Sequence, residues 1–261
     1  MELDDAYSNA AYIPDAMSYP PKWQKSATKF RAEHAASTLD IPYGTGPRHK
    51  LDLFHSNAPT KGLVVFVHGG YWLNFDKSDW SHLAAGALAR GWSVVMPSYD
   101  LCPSATISEI TQQVAASISV AAALEDGPIC LTGHSAGGHL VARMVDKSVL
   151  RADIATRLQK VVPISPVSDL RPLLKTSMNG DLRLTMEEAS AESPVLMNDR
   201  YSAAVTVWVG GDERPVFLDQ AQWLATAWGV ERIIAKDRHH FNVIEDLADE
   251  NSDLVNTLLG P

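Results

Sequence analysis

The stretch that most constrains this chain is Gly133-His134-Ser135-Ala136-Gly137, preceded by the apolar run Pro128-Ile129-Cys130-Leu131 and followed by the helix-prone residues 138–145. A G-x-S-x-G pattern in that setting describes a strand that turns sharply into a helix. The central Ser is held in a strained backbone conformation, and only small flanking residues let the two elements approach each other. Its hydroxyl then projects above a sheet, and the first helical turn offers free N–H groups to a developing negative charge. A plainer account of the same five residues is a strand-to-helix turn whose Ser caps the helix. The segments around the motif decide between the two.

At 261 residues, 46% hydrophobic and 20% charged, the chain can bury a substantial core. No linker-like or low-complexity run divides it, so a single α/β domain over residues 1–261 is expected. The net charge of −9 argues against nucleic acid or an anionic membrane as partner. That leaves a small-molecule substrate, and a homodimer is compatible with it. No apolar run reaches the roughly 18 residues of a membrane span, and Met1-Glu2-Leu3-Asp4-Asp5 is acidic where a signal peptide would be basic, so a cytoplasmic protein is expected. Cys102 and Cys130 sit in or beside expected strand ends and read as free thiols. Neither has a Cys or His neighbour at ligand spacing, so no metal and no cofactor are expected.

Residues 1 to about 45 carry Tyr7, Tyr12, Pro14, Tyr19, Pro20, Pro21 and Trp23 before a helix expected over Gln24–Ala36. This is too aromatic for a disordered tail and reads as a segment packed over the domain, near its site. Strands are expected at 51–54, 63–67, 93–97, 128–131, 161–165, 204–209 and 231–235. The helices between them fall at about 80–90, 107–124, 138–145 and 215–228, with a closing helix from about Phe241 to Leu259. Leu63-Val64-Val65-Phe66-Val67 is apolar throughout, as a strand buried on both faces must be. Residues 171 to about 200 are polar and broken by Pro172, Gly180 and Pro194, and read as a cap insertion of short helices over the site. Strands alternating with helices in this way give a mostly parallel sheet with helices on both faces, whose chemistry lies at the carboxyl ends of the strands.

Those strand ends carry reactive groups in the order Ser, acid, His. Ser135 is the candidate nucleophile; a hydroxyl needs a base within hydrogen-bond reach, and the base needs a third group to fix its tautomer. His240, just after the last strand, is the candidate base, with His239 as its rival. Asp212 and Glu213 end another strand, and because adjacent side chains diverge, only one can face the imidazole. His134 and His139 are expected to pack or bond locally. His68-Gly69-Gly70-Tyr71-Trp72 follows a buried strand, and its glycines let backbone N–H groups approach a substrate. The N–H groups near Gly70 and Tyr71, with that of Ala136, form a candidate oxyanion site flanked by Gly69 and Trp72.

Together these motifs resemble the α/β-hydrolase superfamily, and within it the kynurenine formamidase (arylformamidase) family, close to the hormone-sensitive-lipase-like esterases. His68 to Trp72 fit H-G-G-x-W. Tyr99, Leu101 and Pro103 fit Y-x-L-x-P. Ser165 to Leu170 with Pro172, Leu173, Ser193 and Pro194 resemble the family's strand-six and cap region, while Glu213, Phe217 and Gln220 fit acid-x-x-x-F-x-x-Q and His240, Phe241 and Ile244 fit H-F-x-x-I. The resemblance covers most of the chain from residue 63 onward. It implies an α/β-hydrolase fold with a small cap, Glu213 rather than Asp212 as the acid, and a serine hydrolase acting on a small formamide, with N-formyl-L-kynurenine as the leading substrate. Asn242 stands where the family's best-known members carry Asp, which bears on substrate more than on mechanism. A carboxylesterase or thioesterase using the same machinery is the alternative. A non-catalytic binding protein of the same fold is the more distant one, since such proteins typically lose a triad member.

Overall fold

A computed structural model describes residues 1–57 and 59–260. Eight strands, β1 (Ser37–Pro42), β2 (Lys50–Phe54), β3 (Leu63–Val67), β4 (Ser93–Pro97), β5 (Ile129–His134), β6 (Leu158–Ile164), β7 (Ala204–Gly210) and β8 (Glu231–Ala235), form one sheet in the order β1-β2-β4-β3-β5-β6-β7-β8. β2 pairs antiparallel with β1 and β4; every other pairing is parallel. The helices are α1 (Tyr19–Glu33), α2 (Ala85–Ala89), α3 (Ile107–Leu124), α4 (Ala136–Arg143), α5 (Ala152–Ala155), α6 (Asn179–Leu182), α7 (Met186–Ala191), α8 (Pro215–Trp228) and α9 (Asp253–Leu259).

Side-chain alternation along β3 divides the core in two. Leu63, Val65 and Val67 pack on one face with Ile110 of α3, Leu140 of α4 and Leu224 of α8. Val64 and Phe66 point to the other, against Trp23 of α1, Ala87 of α2 and Leu254 of α9. With both faces covered, the run has no polar position, and each large apolar side chain so buried contributes about 1.5–3 kcal/mol.

Local chemistry sets the helix ends. At the start of α3 the Thr106 hydroxyl accepts from Glu109 N–H at 3.2 Å while the Glu109 carboxylate accepts from Thr106 N–H at 2.8 Å. Such a reciprocal cap is worth on the order of 1 kcal/mol. α8 opens on Pro215 and closes on Gly229 in the left-handed region at φ 63°.

Beyond shifts at the ends of β5 and β6 and the short α5, which was not expected, four elements differ from the sequence reading for a local reason. α1 begins at Tyr19 because Pro20 and Pro21 fit its first turn, whose N–H groups need no helical acceptor. β1 is a largely exposed edge strand, and the alternation of Leu39 and Ile41 with Thr38 and Asp40 is too short to mark it in the sequence. The helix expected at 80–90 is a 3-10 turn, Ser81–Ala84, running into the short α2. The closing helix expected from Phe241 is a 3-10 turn, Glu245–Ala248, followed by α9, which starts where Ser252 accepts from Val255 N–H at 3.1 Å. Both cysteines are free and buried, and burial pushes their thiols up, Cys102 to about 11 and Cys130 to about 12.

Candidate active site

The β5–α4 turn places Ser135 at φ 57°, ψ −115°, a conformation that costs a residue with a Cβ roughly 1–3 kcal/mol. Packing on every side holds it there. A Cβ on Gly137 would lie 2.0 Å from the Val67 carbonyl oxygen, and one on Gly133 would lie 2.4 Å from that of Gly137. The Ser135 N–H donates to the Ile164 carbonyl on β6 at 2.8 Å. Its hydroxyl makes no helix-capping bond, which removes the plainer account of the motif. Ala136 follows as the first residue of α4, where its N–H has no intrahelical acceptor.

The loop after β3 lies directly against this turn. A Cβ on Gly69 would meet the His134 carbonyl oxygen at 2.7 Å and the Ser135 Cβ at 3.1 Å. The chain reverses through Gly70 (φ 111°), Tyr71 (φ 52°) and Trp72 (φ 58°), and the Gly70 carbonyl collects the N–H groups of Leu73 and Asn74. Tyr99 supports the loop, its ring stacked 4.3 Å from His68 and its hydroxyl donating to the His68 carbonyl at 2.8 Å. Burial holds the His68 pKa down at about 4, so the imidazole is neutral.

Gly69, Gly70 and Tyr71 line a cavity of about 280 Å³ together with His134, Ser135 and His240. Trp72, grouped with them from the sequence, is a correction. It is fully buried, packs edge-on against His139 at 5.0 Å and is absent from the cavity wall, because the loop reversal sends consecutive side chains in opposite directions.

Downstream of β8, the His240 Nδ1–H donates to Glu213 Oε2 at 2.5 Å. The other Glu213 oxygen accepts from Gly210 N–H at 2.8 Å and from the Ser165 hydroxyl, so the buried carboxylate is fully engaged. Asp212 points into solvent, and its N–H donates to the Arg238 carbonyl at 2.9 Å. Between the two acids, geometry joins Glu213 to His240. Ser165, at the carboxyl end of β6 with φ 46°, had no role assigned from sequence; its position at a strand end was the available signal.

The other histidines do not take the place of His240 in this pair. His239 meets the Tyr19 hydroxyl at 3.0 Å through Nε2 and donates its N–H to Asn242 Oδ1 at 2.7 Å, so Asn242 braces the turn that presents His240. His134 packs 4.5 Å from the His240 ring; burial, then repulsion from His240, lowers its pKa well below the usual range and keeps it neutral. Phe217 closes the opposite side of His240, ring centroids 4.2 Å apart. Among the described residues, no group of three or more His, Cys, Asp or Glu is placed to hold a metal ion.

Aromatic side chains make most of the remaining wall, with Trp23, Phe75, Trp80 and Phe241 on one side and Tyr7 and Tyr71 on the other. The Tyr7 carbonyl accepts from the Tyr71 hydroxyl at 2.8 Å, and the Tyr7 hydroxyl accepts from Gln220 Nε2 at 2.9 Å. Residues 7–10 therefore form part of the wall. No residue of 171–200 lines the cavity, unlike the cap expected there. Leu173, Leu182, Leu184 and Ala189 from that stretch are buried in the main core, and Glu192 is tied to Arg143 at 3.1 Å.

Residues 64–228 match the α/β-hydrolase fold family. The chain belongs to that family. The hydrolase is 31% identical to kynurenine formamidase of Danio rerio over 278 aligned positions, which cover 99% of this chain and 94% of that one. Its structure superposes with a TM-score of 0.98 on a protein of Silicibacter sp. TM1040 provisionally assigned as a thioesterase, at 59% identity over 99% of both chains. Esterase B of Lactobacillus rhamnosis, crystallised with a tributyrin phosphonate inhibitor, shares the fold at a TM-score of 0.69 and 16% identity, covering 93% of this chain and 91% of that one. Among the described residues, no helix of the hydrolase is long and apolar enough to cross a membrane.

Proposed function

We propose that this hydrolase cleaves a small formamide by acyl transfer through Ser135, His240 and Glu213, with N-formyl-L-kynurenine as the leading substrate and kynurenine and formate as products. The carrying observation is that Ser135, in its strained turn, shares one aromatic-walled cavity with a His240 whose Nδ1–H is fixed on a buried Glu213. That bond leaves Nε2 as the free base, oriented for one tautomer.

The Ser135 oxygen adds to the formyl carbon while its proton passes to His240. The carbonyl oxygen, now an anion, accepts from N–H groups of Ala136 and of the loop around Gly70 and Tyr71. Each such donor is typically worth about 3–4 kcal/mol of transition-state stabilisation. His240 returns the proton to the leaving nitrogen, the C–N bond breaks and the amine departs. Water then attacks the formyl-enzyme, with His240 as base, and releases formate and free Ser135. Neighbouring rings suit an aryl group on the leaving side.

The formamide reading draws support from the similarity to the Danio rerio formamidase along nearly the whole of both chains. A thioesterase reading draws on the 59% identical Silicibacter protein. We read the chain as one domain whose residues 1–45 cover its site, and the two free, buried cysteines favour a cytoplasmic setting. Purified protein offered N-formyl-L-kynurenine, a p-nitrophenyl acyl ester and an acyl thioester decides the matter. A kcat/KM for the formamide well above the other two supports the proposal; turnover of the activated esters alone refutes it.

A further inference from the structure

A second, smaller cavity of about 170 Å³ adjoins the first on the side of Glu213 and Arg214. Among the described residues, Asn9 and His240 are the two that line both cavities. Asn9 is 6% exposed. It precedes a 3-10 turn, Ala10–Tyr12, where an Asn side chain ordinarily accepts from the turn's own N–H groups; here it makes no such bond. Its Oδ1 is buried with no hydrogen-bond partner among the described residues. An unpaired buried acceptor of this kind destabilises the empty site, a cost removed when a ligand supplies the donor.

The donor is neutral. Of the two cavities that Asn9 lines, the smaller carries Asp212, Glu213 and Arg214, while the main one, which holds Ser135, is lined among the described residues by no carboxylate, ammonium or guanidinium group, so a substrate there is expected to offer an uncharged N–H. We infer that Asn9 is a specificity residue that accepts a hydrogen bond from the scissile N–H of a formamide. This rests on the formamide reading above and extends it. In the tetrahedral intermediate the nitrogen lone pair must point at the protonated His240 for the C–N bond to break, which turns the remaining N–H away from the imidazole. In an aromatic-walled cavity that N–H needs an acceptor, and Asn9, which lines the cavity with Ser135 and His240, carries an unpaired one. Esters and thioesters carry no hydrogen at the leaving atom, so the contact favours amides alone. A site built to bond a donor discriminates strongly against substrates that lack it.

The test is the ratio of kcat/KM for formanilide to that for phenyl formate, measured on the full chain as wild type, Asn9→Leu, Asn9→Ala and Asn9→Asp. Leu and Ala remove the acceptor, and the ratio is expected to fall about 5- to 100-fold in both. Asp keeps an acceptor oxygen in the same place and holds the ratio closer to wild type. Phenyl formate turnover shows in each case that the protein is folded, and two acceptor-less variants keep the result from resting on one. An unchanged ratio in both Leu and Ala, or an equal fall in all three variants, overturns the role of Asn9. Wild-type protein that cleaves phenyl formate and not formanilide refutes the formamide reading itself, a separate result.

Discussion

His240 donates from Nδ1 to Glu213 at 2.5 Å, while Asp212, one residue earlier, is exposed to solvent. If Glu213 fixes the tautomer of the base, Glu213→Gln, which offers an amide where the carboxylate stood, lowers kcat/KM about 10³- to 10⁴-fold. Asp212→Asn, an exposed change outside the cavity that holds Ser135, stays within about threefold. Steady-state kinetics on one substrate reads both, and the reverse ranking moves the acid one residue up the chain.

Ser135 joins chemistry to strain. Ser135→Ala abolishes turnover yet keeps a Cβ at φ 57°. Ser135→Gly is equally inactive but can adopt this conformation freely, so it is expected to be more stable than Ser135→Ala by about 1 kcal/mol. Urea unfolding of the two inactive variants makes the comparison without reference to activity. Equal midpoints would show that the turn stores no strain at Ser135.

The sequence was most informative where one physical requirement had one solution. The run from Leu63 to Val67 had to be a strand buried on both faces, and α3 announces itself by helical periodicity over residues 107–124. Around Ser135 the glycines are irreplaceable for a reason visible in the residues themselves: two elements meet too closely for a Cβ. Less was legible where tertiary contact decides. Trp72 carries the same aromatic signal whether it faces a substrate or the core, and only the reversal through Tyr71 sends it inward. Residues 171–200 are polar enough to suggest a cap, yet four apolar side chains among them anchor the stretch to the main core. Asp212 and Glu213 were separable by family resemblance; in the structure the Gly210 N–H and the Ser165 hydroxyl hold the Glu213 carboxylate in place.

Glycine packing at the turn gives a sharper stability contrast. A Cβ on Gly137 would sit 2.0 Å from the Val67 carbonyl oxygen, backbone against backbone, with no side chain able to yield. Gly137→Ala is expected to cost about 3 kcal/mol or more and to lose activity with it. Gly180, in α6, has nothing within 4 Å of its would-be Cβ, so Gly180→Ala is expected to be neutral or to stabilise by up to about 1 kcal/mol. Denaturant midpoints test the pair; a tolerated Gly137→Ala would mean that β3 and α4 can separate.

Acid sensitivity follows from the buried histidines. His68, His134 and His139 are each at most 4% exposed, and burial lowers all three, His68 and His139 to about 4 and His134 well below its ordinary value. In the unfolded chain these imidazoles bind protons near the ordinary 6.5, while in the folded protein they stay neutral to far lower pH. The unfolded state therefore takes up protons first, and stability falls as pH falls from about 6.5 towards 4. Between pH 7 and pH 5 the loss is about 2 kcal/mol for each of His68 and His139. His139→Gln keeps an N–H donor near the Glu192 carbonyl, which His139 Nε2 reaches at 2.7 Å, but does not titrate. Urea unfolding across this range should give a steep acid branch in wild type and, in His139→Gln, one shallower by about 1.4 kcal/mol per pH unit. A branch of unchanged slope in the variant would show that His139 takes up its proton equally in both states.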